Sequence, residues 1–250
     1  MNNLKFAIDY LVQYNHINNL KNVYSFDTLR ALMNITMPYD LTDEYYKAQD
    51  NAIKEELQKY QIVDVSKLQF KNNIAIYQGD ITKIKVDAIV NACNEKLLGC
   101  FYPLHSCVDN IIHSYAGLEV RRDLIAIMDK QGHDEKNGMC KATSAYNLPS
   151  KYIFHTVGPK VSKLNDQDIN DLKSCYLSCL MEASKLKLQT IAFPCISTGI
   201  YSFPADIASN IAYKTVREYL KNDSSLKVIF VTYTNKDYLL YKQEVKKDDN

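Results

Sequence analysis

The chain has 250 residues, of which 46% are hydrophobic and 24% are charged, and its formal net charge is +1. This composition excludes a disordered chain and allows one well-filled core plus an extension. A nearly neutral chain has no overall field that would recruit nucleic acid or an acidic membrane. We therefore expect neither as a partner, and any anionic ligand must be held by local groups.

The cellular location is predicted from hydropathy and cysteine content. No apolar run approaches the length of a bilayer span, and residues 1–5 lack the apolar segment of a signal peptide. The cysteines number seven and are scattered along strand-like and helix-like segments, which favours reduced thiols over a disulfide framework. We expect a cytoplasmic protein whose thiols are available to a metal.

Residues 1–70 have the pattern of an α-helical extension. Apolar residues recur at helical spacing over 6–12, and Asp27 precedes a second short helical pattern that Pro38 closes. Thr42 is the predicted N-cap of a third helix. One face of that helix would carry Tyr46, Ile53, Leu57 and Tyr60. Because these helices contain no cluster of catalytic residue types, they are predicted to be a packing or cover element.

From Asn73 onward, strand patterns alternate with helical patterns, as in an α/β protein. Apolar runs with little alternation, which are typical of central strands, lie at 74–77, 86–90, 152–157, 190–193 and 227–232. One predicted helix begins near Asp109 and continues to Val120, a second includes Ile169, and a third has Pro204 as its first residue. This third helix is expected to bury Ile207, Ile211 and Tyr219.

A carboxylate follows the strand predicted at 74–77. Asp80 lies beside Gly79 at a tight turn, where its carboxylate could accept a hydrogen bond from an exocyclic amine such as that of adenine. An Asp after Gly is also common as a turn residue or a helix cap. The sequence leaves both interpretations open.

The loop that follows the strand at 86–90 contains three metal-ligand residue types. Cys100, His105 and Cys107 offer two thiolates and an imidazole, and three such ligands leave a fourth tetrahedral position open to water or substrate. The spacing is not that of a common zinc finger. Two alternatives remain: buried cysteines beside a helix-capping histidine, or a cysteine nucleophile activated by His105.

Asp109 lies just beyond Cys107. Its carboxylate could orient a water or bind a ribose hydroxyl, and it is also a suitable N-cap for the predicted helix. His113, one turn further along, is predicted to be a packing residue.

A second polar loop, at 194–201, connects a strand to the helix predicted at Pro204. Ser197, Thr198 and Gly199 form a turn that can direct backbone N–H groups and hydroxyls at a phosphate, next to the positive end of that helix. Tyr201 could stack on a sugar or cover the core. An ordinary strand-to-helix loop is the alternative.

These segments together resemble the macrodomain family, an ADP-ribose-binding α/β/α module. The resemblance is carried by Gln-Gly-Asp-Ile-Thr at 78–82, Val-Asn-Ala-Cys-Asn at 90–94, Tyr-Asn-Leu-Pro at 146–149, His-Thr-Val-Gly-Pro at 155–159 and Ile-Ser-Thr-Gly-Ile-Tyr at 196–201. It covers roughly residues 70–235. The loop with Cys100, His105 and Cys107 is similar to that of the zinc-containing class of protein-ADP-ribose hydrolases, which also has an N-terminal helical extension.

The resemblance implies a fold and a domain organisation. We expect a three-layer α/β/α macrodomain with a mixed central sheet at residues 71–250, preceded by the small α-helical extension at residues 1–70.

The resemblance also implies roles for individual residues in ADP-ribose binding. Asp80 and Ile81 would hold adenine, and Tyr201 would lie against the distal ribose. The diphosphate would be cradled by Ser197, Thr198, Gly199 and Ile200.

At the distal ribose, Asn94 and Asp109 would be the catalytic residues. Cys100, His105 and Cys107 would bind Zn²⁺.

The activity implied by the resemblance is the zinc-dependent removal of mono-ADP-ribose from modified, acidic side chains of proteins. The implied partners are ADP-ribose, the mono-ADP-ribosylated protein, and a sirtuin-type ADP-ribosyltransferase system with a lipoyl-carrier protein. Two alternatives use the same pocket: a reader module that binds ADP-ribose without cleaving it, and an O-acetyl-ADP-ribose deacetylase.

Overall fold

The structure is a computed structural model that describes residues 2–18 and 23–248. Residues 1, 19–22 and 249–250, which belong to the predicted ranges 1–70 and 71–250, lie outside the described residues. The helices are α1 (Asn3–Tyr14), α2 (Phe26–Ile35), α3 (Asp43–Leu57), α4 (Val108–Ala116), α5 (Leu118–Gln131), α6 (Asp166–Lys185), α7 (Ala205–Leu220) and α8 (Asn235–Lys247). The strands are β1 (Val63–Asp64), β2 (Ile74–Gln78), β3 (Ile84–Lys85), β4 (Ala88–Cys93), β5 (Cys140–Ser144), β6 (Tyr152–Val157), β7 (Thr190–Phe193) and β8 (Lys227–Thr232).

The central sheet has six strands in the order β2-β8-β7-β4-β6-β5. All neighbouring pairs are parallel except β5 with β6, which is antiparallel, so the mixed sheet is confirmed. β5 was not among the predicted strands. This edge strand carries polar residues, and only one of its five residues is fully buried. It therefore lacks the apolar run of a central strand.

The sheet separates two hydrophobic cores, which confirms the three-layer arrangement. Along β6, Ile153 packs with α1–α5 on one face, whereas Phe154 packs with α6–α8 on the other. Neighbouring residues of β7 and β8 alternate in the same way because successive side chains of a strand point to opposite faces. Within the described ranges, no helix is long and apolar enough to cross a membrane.

The helical extension shares the core that α4 and α5 form on one face of the sheet. Buried residues of α1–α3, among them Leu11, Leu32 and Ile53, belong to the same apolar cluster as the residues of α4 and α5. The predicted cap is confirmed, since the Thr42 side chain accepts a hydrogen bond from the N–H of Tyr45. Tyr60, predicted on the buried face, lies beyond the end of α3 and is exposed.

Two helix starts differ from the prediction. Asp109 is not the N-cap of α4; that position belongs to Cys107, whose sulfur accepts from the N–H of Asn110. The predicted helix is also interrupted at Gly117, whose φ of 106° ends α4 and starts α5. Pro204 is the N-cap residue of α7 rather than its first helical residue.

The buried face of α7 also differs from the prediction. Ile207 is exposed, and Ile211 and Tyr219 are half-buried. The residues that face the core are instead Ala208, Ala212, Tyr213, Val216 and Leu220. Small alanines are buried where α7 packs against the sheet, and a pattern based on large apolar residues does not detect them.

A buried carboxyl group joins the extension to α5. Glu119 accepts a hydrogen bond from the amide of Gln49 in α3 at 2.9 Å. The side-chain oxygen of Gln49 in turn accepts from the N–H of Leu118, the first residue of α5. Burial, aided by the negative charge of Asp50, raises the pKa of Glu119 to about 7.

This raised pKa predicts how stability depends on pH. The folded protein holds the Glu119 proton more tightly than the unfolded chain, so stability is lost as pH rises from about 4.5 to about 7. In Glu119→Gln, which keeps the acceptor for Gln49, we expect this loss to shrink by on the order of 1–3 kcal/mol. Urea unfolding at pH 5 and pH 8 measures it; equal pH dependence in both proteins would contradict the prediction.

Candidate functional site

A cavity of about 540 Å³ opens beside the carboxyl ends of several parallel strands, where open α/β sheets bind their ligands. All residues predicted for the site line it. They are Asp80, Ile81, Asn94, Cys100, His105, Cys107, Asp109, Ser197, Thr198, Gly199, Ile200 and Tyr201. The fold thus brings together three segments that are far apart in the sequence.

The loop after β7 lines this cavity and carries backbone N–H groups without a partner in the described chain. Those of Gly199, Ile200 and Tyr201 donate to no acceptor within the part of the chain that the structure describes. Ser197 adopts a φ of 65°, and its buried hydroxyl also lacks a protein partner among the described residues. Because α7 begins shortly after this loop, the arrangement suits an anion such as a diphosphate.

Gly158, at the end of β6, makes room for this loop. A Cβ at that position would lie 2.1 Å from the hydroxyl oxygen of Ser197. A Cβ at Gly199 would meet no atom within 4 Å, so the space in front of the loop is open. The close approach of the end of β6 to the loop after β7 therefore requires the glycine of the 155–159 motif.

The turn after β2 also lines the cavity. The carboxylate of Asp80 caps a short 3₁₀ helix, since one oxygen accepts from the N–H and hydroxyl of Thr82 at 2.8 and 2.7 Å. The alternative interpretation of Asp80 as a cap is therefore correct, and the residue nevertheless lines the cavity. Its second oxygen remains for a ligand, at 3.9 Å from the amine of Lys83.

The candidate metal ligands meet in the loop before α4. The ligand atoms of Cys100, His105 and Cys107 all lie within 4.8 Å of one another, and all three residues are half-buried. The Nδ1 atom of His105 accepts a hydrogen bond from the N–H of Cys107 at 3.3 Å. Among the described residues, no other three Cys, His or carboxylate side chains meet in this way.

The chemistry of this set fits Zn²⁺. Two thiols and an imidazole are ligands that zinc prefers, and three protein ligands are typical of sites with an open fourth position. The sulfur of Cys107 lies at the positive end of α4, which favours a thiolate. Burial raises the pKa of the Cys107 thiol to about 12, and the hydrogen bond from the N–H of Asn110 opposes this only in part.

Asp109 is buried in α4 and faces the same cavity. One carboxylate oxygen accepts from the amide of Asn91 in β4 at 2.8 Å. Burial raises the pKa of Asp109 to about 6, opposed by that hydrogen bond and by the positive charge of Arg121. His113 lies 3.5 Å away, but burial holds its pKa well below the usual value, so it is a neutral packing residue.

Asn94 is used within the loop itself. Its amide donates to the carbonyl of Gly99 at 3.1 Å, and its oxygen accepts from the N–H of Lys96 at 3.0 Å. The side chain therefore shapes the start of the loop while it also lines the cavity.

The Macro domain family profile matches residues 90–212. A protein-ADP-ribose hydrolase of Staphylococcus aureus is 46% identical over 224 residues, which cover 88% of this chain and 84% of that protein. The chain belongs to the macrodomain family. This macrodomain is thus similar to a curated relative over most of both lengths.

Two solved structures support the same fold. The Oceanobacillus iheyensis macrodomain with ADP is 34% identical, with a TM-score of 0.66, and the match covers 70% of this chain and 91% of that one. The Trypanosoma brucei macrodomain in complex with ADP-ribose is 28% identical, with a TM-score of 0.66, and the match covers 86% of this chain and 94% of that one.

The macrodomain cavity also includes residues that the sequence analysis missed. Tyr233 and Asp237 line it just after β8, and Tyr233 is largely exposed. The signal that could have found them is their position after a predicted strand, where Asp80 and Asn94 also lie. Asn91, which supports Asp109, belonged to a quoted motif but received no role.

Proposed function

We propose that this macrodomain hydrolyses the bond between ADP-ribose and a modified protein side chain, releasing mono-ADP-ribose. The observation that carries the proposal is the shared cavity of the anion-binding loop, the buried carboxylate of Asp109 and the Cys100, His105 and Cys107 group. The relative from Staphylococcus aureus that is 46% identical bears the name of a protein-ADP-ribose hydrolase and supports the same activity.

The residues that line the cavity suggest how ADP-ribose lies in it. Adenine would occupy the end near Asp80 and Ile81, and the diphosphate would accept hydrogen bonds from the loop at 197–200. The distal ribose would then lie against Tyr201 and reach Asn94 and Asp109. A pocket of about 540 Å³ is in the usual range for a ligand of this size.

We propose Zn²⁺ as the cofactor, held by Cys100, His105 and Cys107. When bound, zinc supplies a positive charge that polarises an oxygen atom or lowers the pKa of a water. Asp109 would orient the attacking water or accept its proton, and Asn91 holds that carboxylate in place. The bond between the anomeric carbon and the side-chain oxygen breaks, and water supplies the new hydroxyl.

We propose acidic side chains as the attachment site. A carboxylate is a weak base, so it can depart from the anomeric carbon without being protonated. A guanidine leaving group must first accept a proton from a donor.

The test of this function is release of ADP-ribose from a protein that is mono-ADP-ribosylated on Asp or Glu. Metal content and release are measured on the purified protein before and after chelation, and again after Zn²⁺ is restored. We expect chelation to remove both the metal and the release activity, and Zn²⁺ to restore both. Binding of ADP-ribose without any release would favour the reader module, and preferential turnover of O-acetyl-ADP-ribose in competition would favour the deacetylase.

Cys107→Ala is expected to abolish both zinc content and hydrolysis, because it removes one of only three proposed ligands. Cys140→Ala is the matched control, since Cys140 is a free thiol of similar burial on β5, outside the cavity. Elemental analysis and the release assay measure both effects. Full turnover by metal-free Cys107→Ala would overturn the zinc proposal.

The cytoplasmic location stays a prediction, as does the pairing with a sirtuin-type ADP-ribosyltransferase and a lipoyl-carrier protein.

A further inference from the structure

The loop that carries the candidate metal ligands is held by buried amides on two sides. On one side, Asn110 of α4 donates to the carbonyls of Cys100 and Tyr102 at 3.3 and 3.0 Å. Asn110 is fully buried, so it fixes the first half of the loop to a rigid helix.

On the other side, the helical extension reaches the loop directly. The side-chain oxygen of Asn34, in the last turn of α2, accepts from the N–H of Leu104 at 3.0 Å. Its amide nitrogen donates to the hydroxyl of Ser114 in α4 at 3.2 Å. Asn34 is 1% exposed and therefore bridges two helices and the loop from a fully buried position.

The Leu104 contact lies at a strained point of the backbone. Leu104 has a φ of 57°, a conformation that residues with a Cβ seldom adopt. His105 follows it immediately and closes a turn by donating its N–H to the carbonyl of Tyr102 at 3.2 Å. A hydrogen bond that holds Leu104 in this conformation thereby sets the direction in which His105 leaves the turn.

Packing alone does not require an asparagine at this position. Its neighbours Leu32 and Met33 are buried apolar residues of the extension core, and an apolar side chain would avoid the cost of burying an amide. The amide is satisfied only because both of its ends find partners in the macrodomain, 70 and 80 residues away.

We propose that Asn34 is a positioning residue for the metal-ligand loop, so that the helical extension completes the site. The proposal rests on the zinc site of the proposed function. Mutation of a residue that orients metal ligands typically lowers metal affinity by about 10- to 100-fold. We therefore expect Asn34→Ala to weaken Zn²⁺ binding by about 10-fold.

The test measures Zn²⁺ affinity by competition with a chelator, and compares the visible spectra of the Co²⁺-substituted proteins. Asn34→Ala is paired with Asn34→Leu, which keeps a branched side chain without its hydrogen bonds if the smaller residue prevents folding. Leu32→Ala is the matched control, because it removes a buried apolar side chain from α2 that cannot hydrogen-bond to the loop. Thermal unfolding reports the folded state of each variant.

We expect both Asn34 variants to bind Zn²⁺ more weakly and to alter the Co²⁺ spectrum, whereas Leu32→Ala lowers the Tm with native metal affinity. Native affinity and spectrum in a folded Asn34 variant would overturn the role of Asn34 alone. An equal loss of affinity in Leu32→Ala would also overturn it, since general loosening would then be the cause. Failure of the wild-type protein to bind Zn²⁺ would instead overturn the proposed metal site, and this inference with it.

Discussion

Asp109→Asn is expected to lower kcat for ADP-ribose release by about 10²- to 10⁴-fold, the usual contribution of a general base. The amide cannot accept a proton from water, yet it has nearly the volume of the carboxyl group. Because Asp109 faces the cavity from a buried position, a bulk water is poorly placed to replace it. We expect the Kd for ADP-ribose to change far less than kcat.

Release from a mono-ADP-ribosylated protein under single-turnover conditions measures the rate, and calorimetry measures ADP-ribose binding. Asp123→Asn is the control, since Asp123 is an Asp of α5 outside the cavity. A kcat for Asp109→Asn near the native value would remove Asp109 from the mechanism. A parallel loss of binding and rate would assign it to ligand binding instead.

Arg121→Met is expected to destabilise the protein by about 3–5 kcal/mol, because it leaves several buried carbonyls without a donor. The guanidinium of Arg121 donates to the carbonyls of Met33 and Thr36 at 2.8 and 2.5 Å, at the C-terminal end of α2. It also donates to the carbonyl of Leu98 at 2.7 Å, just before the metal-ligand loop. One side chain of α5 thus joins the extension to the site.

The neighbouring residue provides the control for this prediction. Arg122 is exposed and pairs with Asp123, so Arg122→Met is expected to change the free energy of unfolding by about 0–1 kcal/mol. Urea unfolding of both variants measures the difference. Equal effects of the two substitutions would show that the buried hydrogen bonds of Arg121 contribute little to stability.

Local patterns were sufficient where a short segment specifies its own structure. The central strands were predicted because buried parallel strands consist of uninterrupted apolar residues, and Thr42 was predicted as a cap because its hydroxyl can reach the next turn. The ordered motifs also predicted the residues that line the cavity. In a parallel sheet, the polar residues that follow the strands lie at the same edge, as Asp80 after β2 and Asn94 after β4 do.

What the sequence alone determined is therefore the five parallel strands of the sheet, the family and part of the set of residues that line the cavity. Only the tertiary structure decided that Asp109 is not a cap, which face of α7 is buried and how α2 reaches the site. These outcomes depend on contacts between distant segments, such as Asn34 with Leu104 and Arg121 with Met33. Local propensity carries no information about such pairs, because their energy arises only when packing excludes water from both partners.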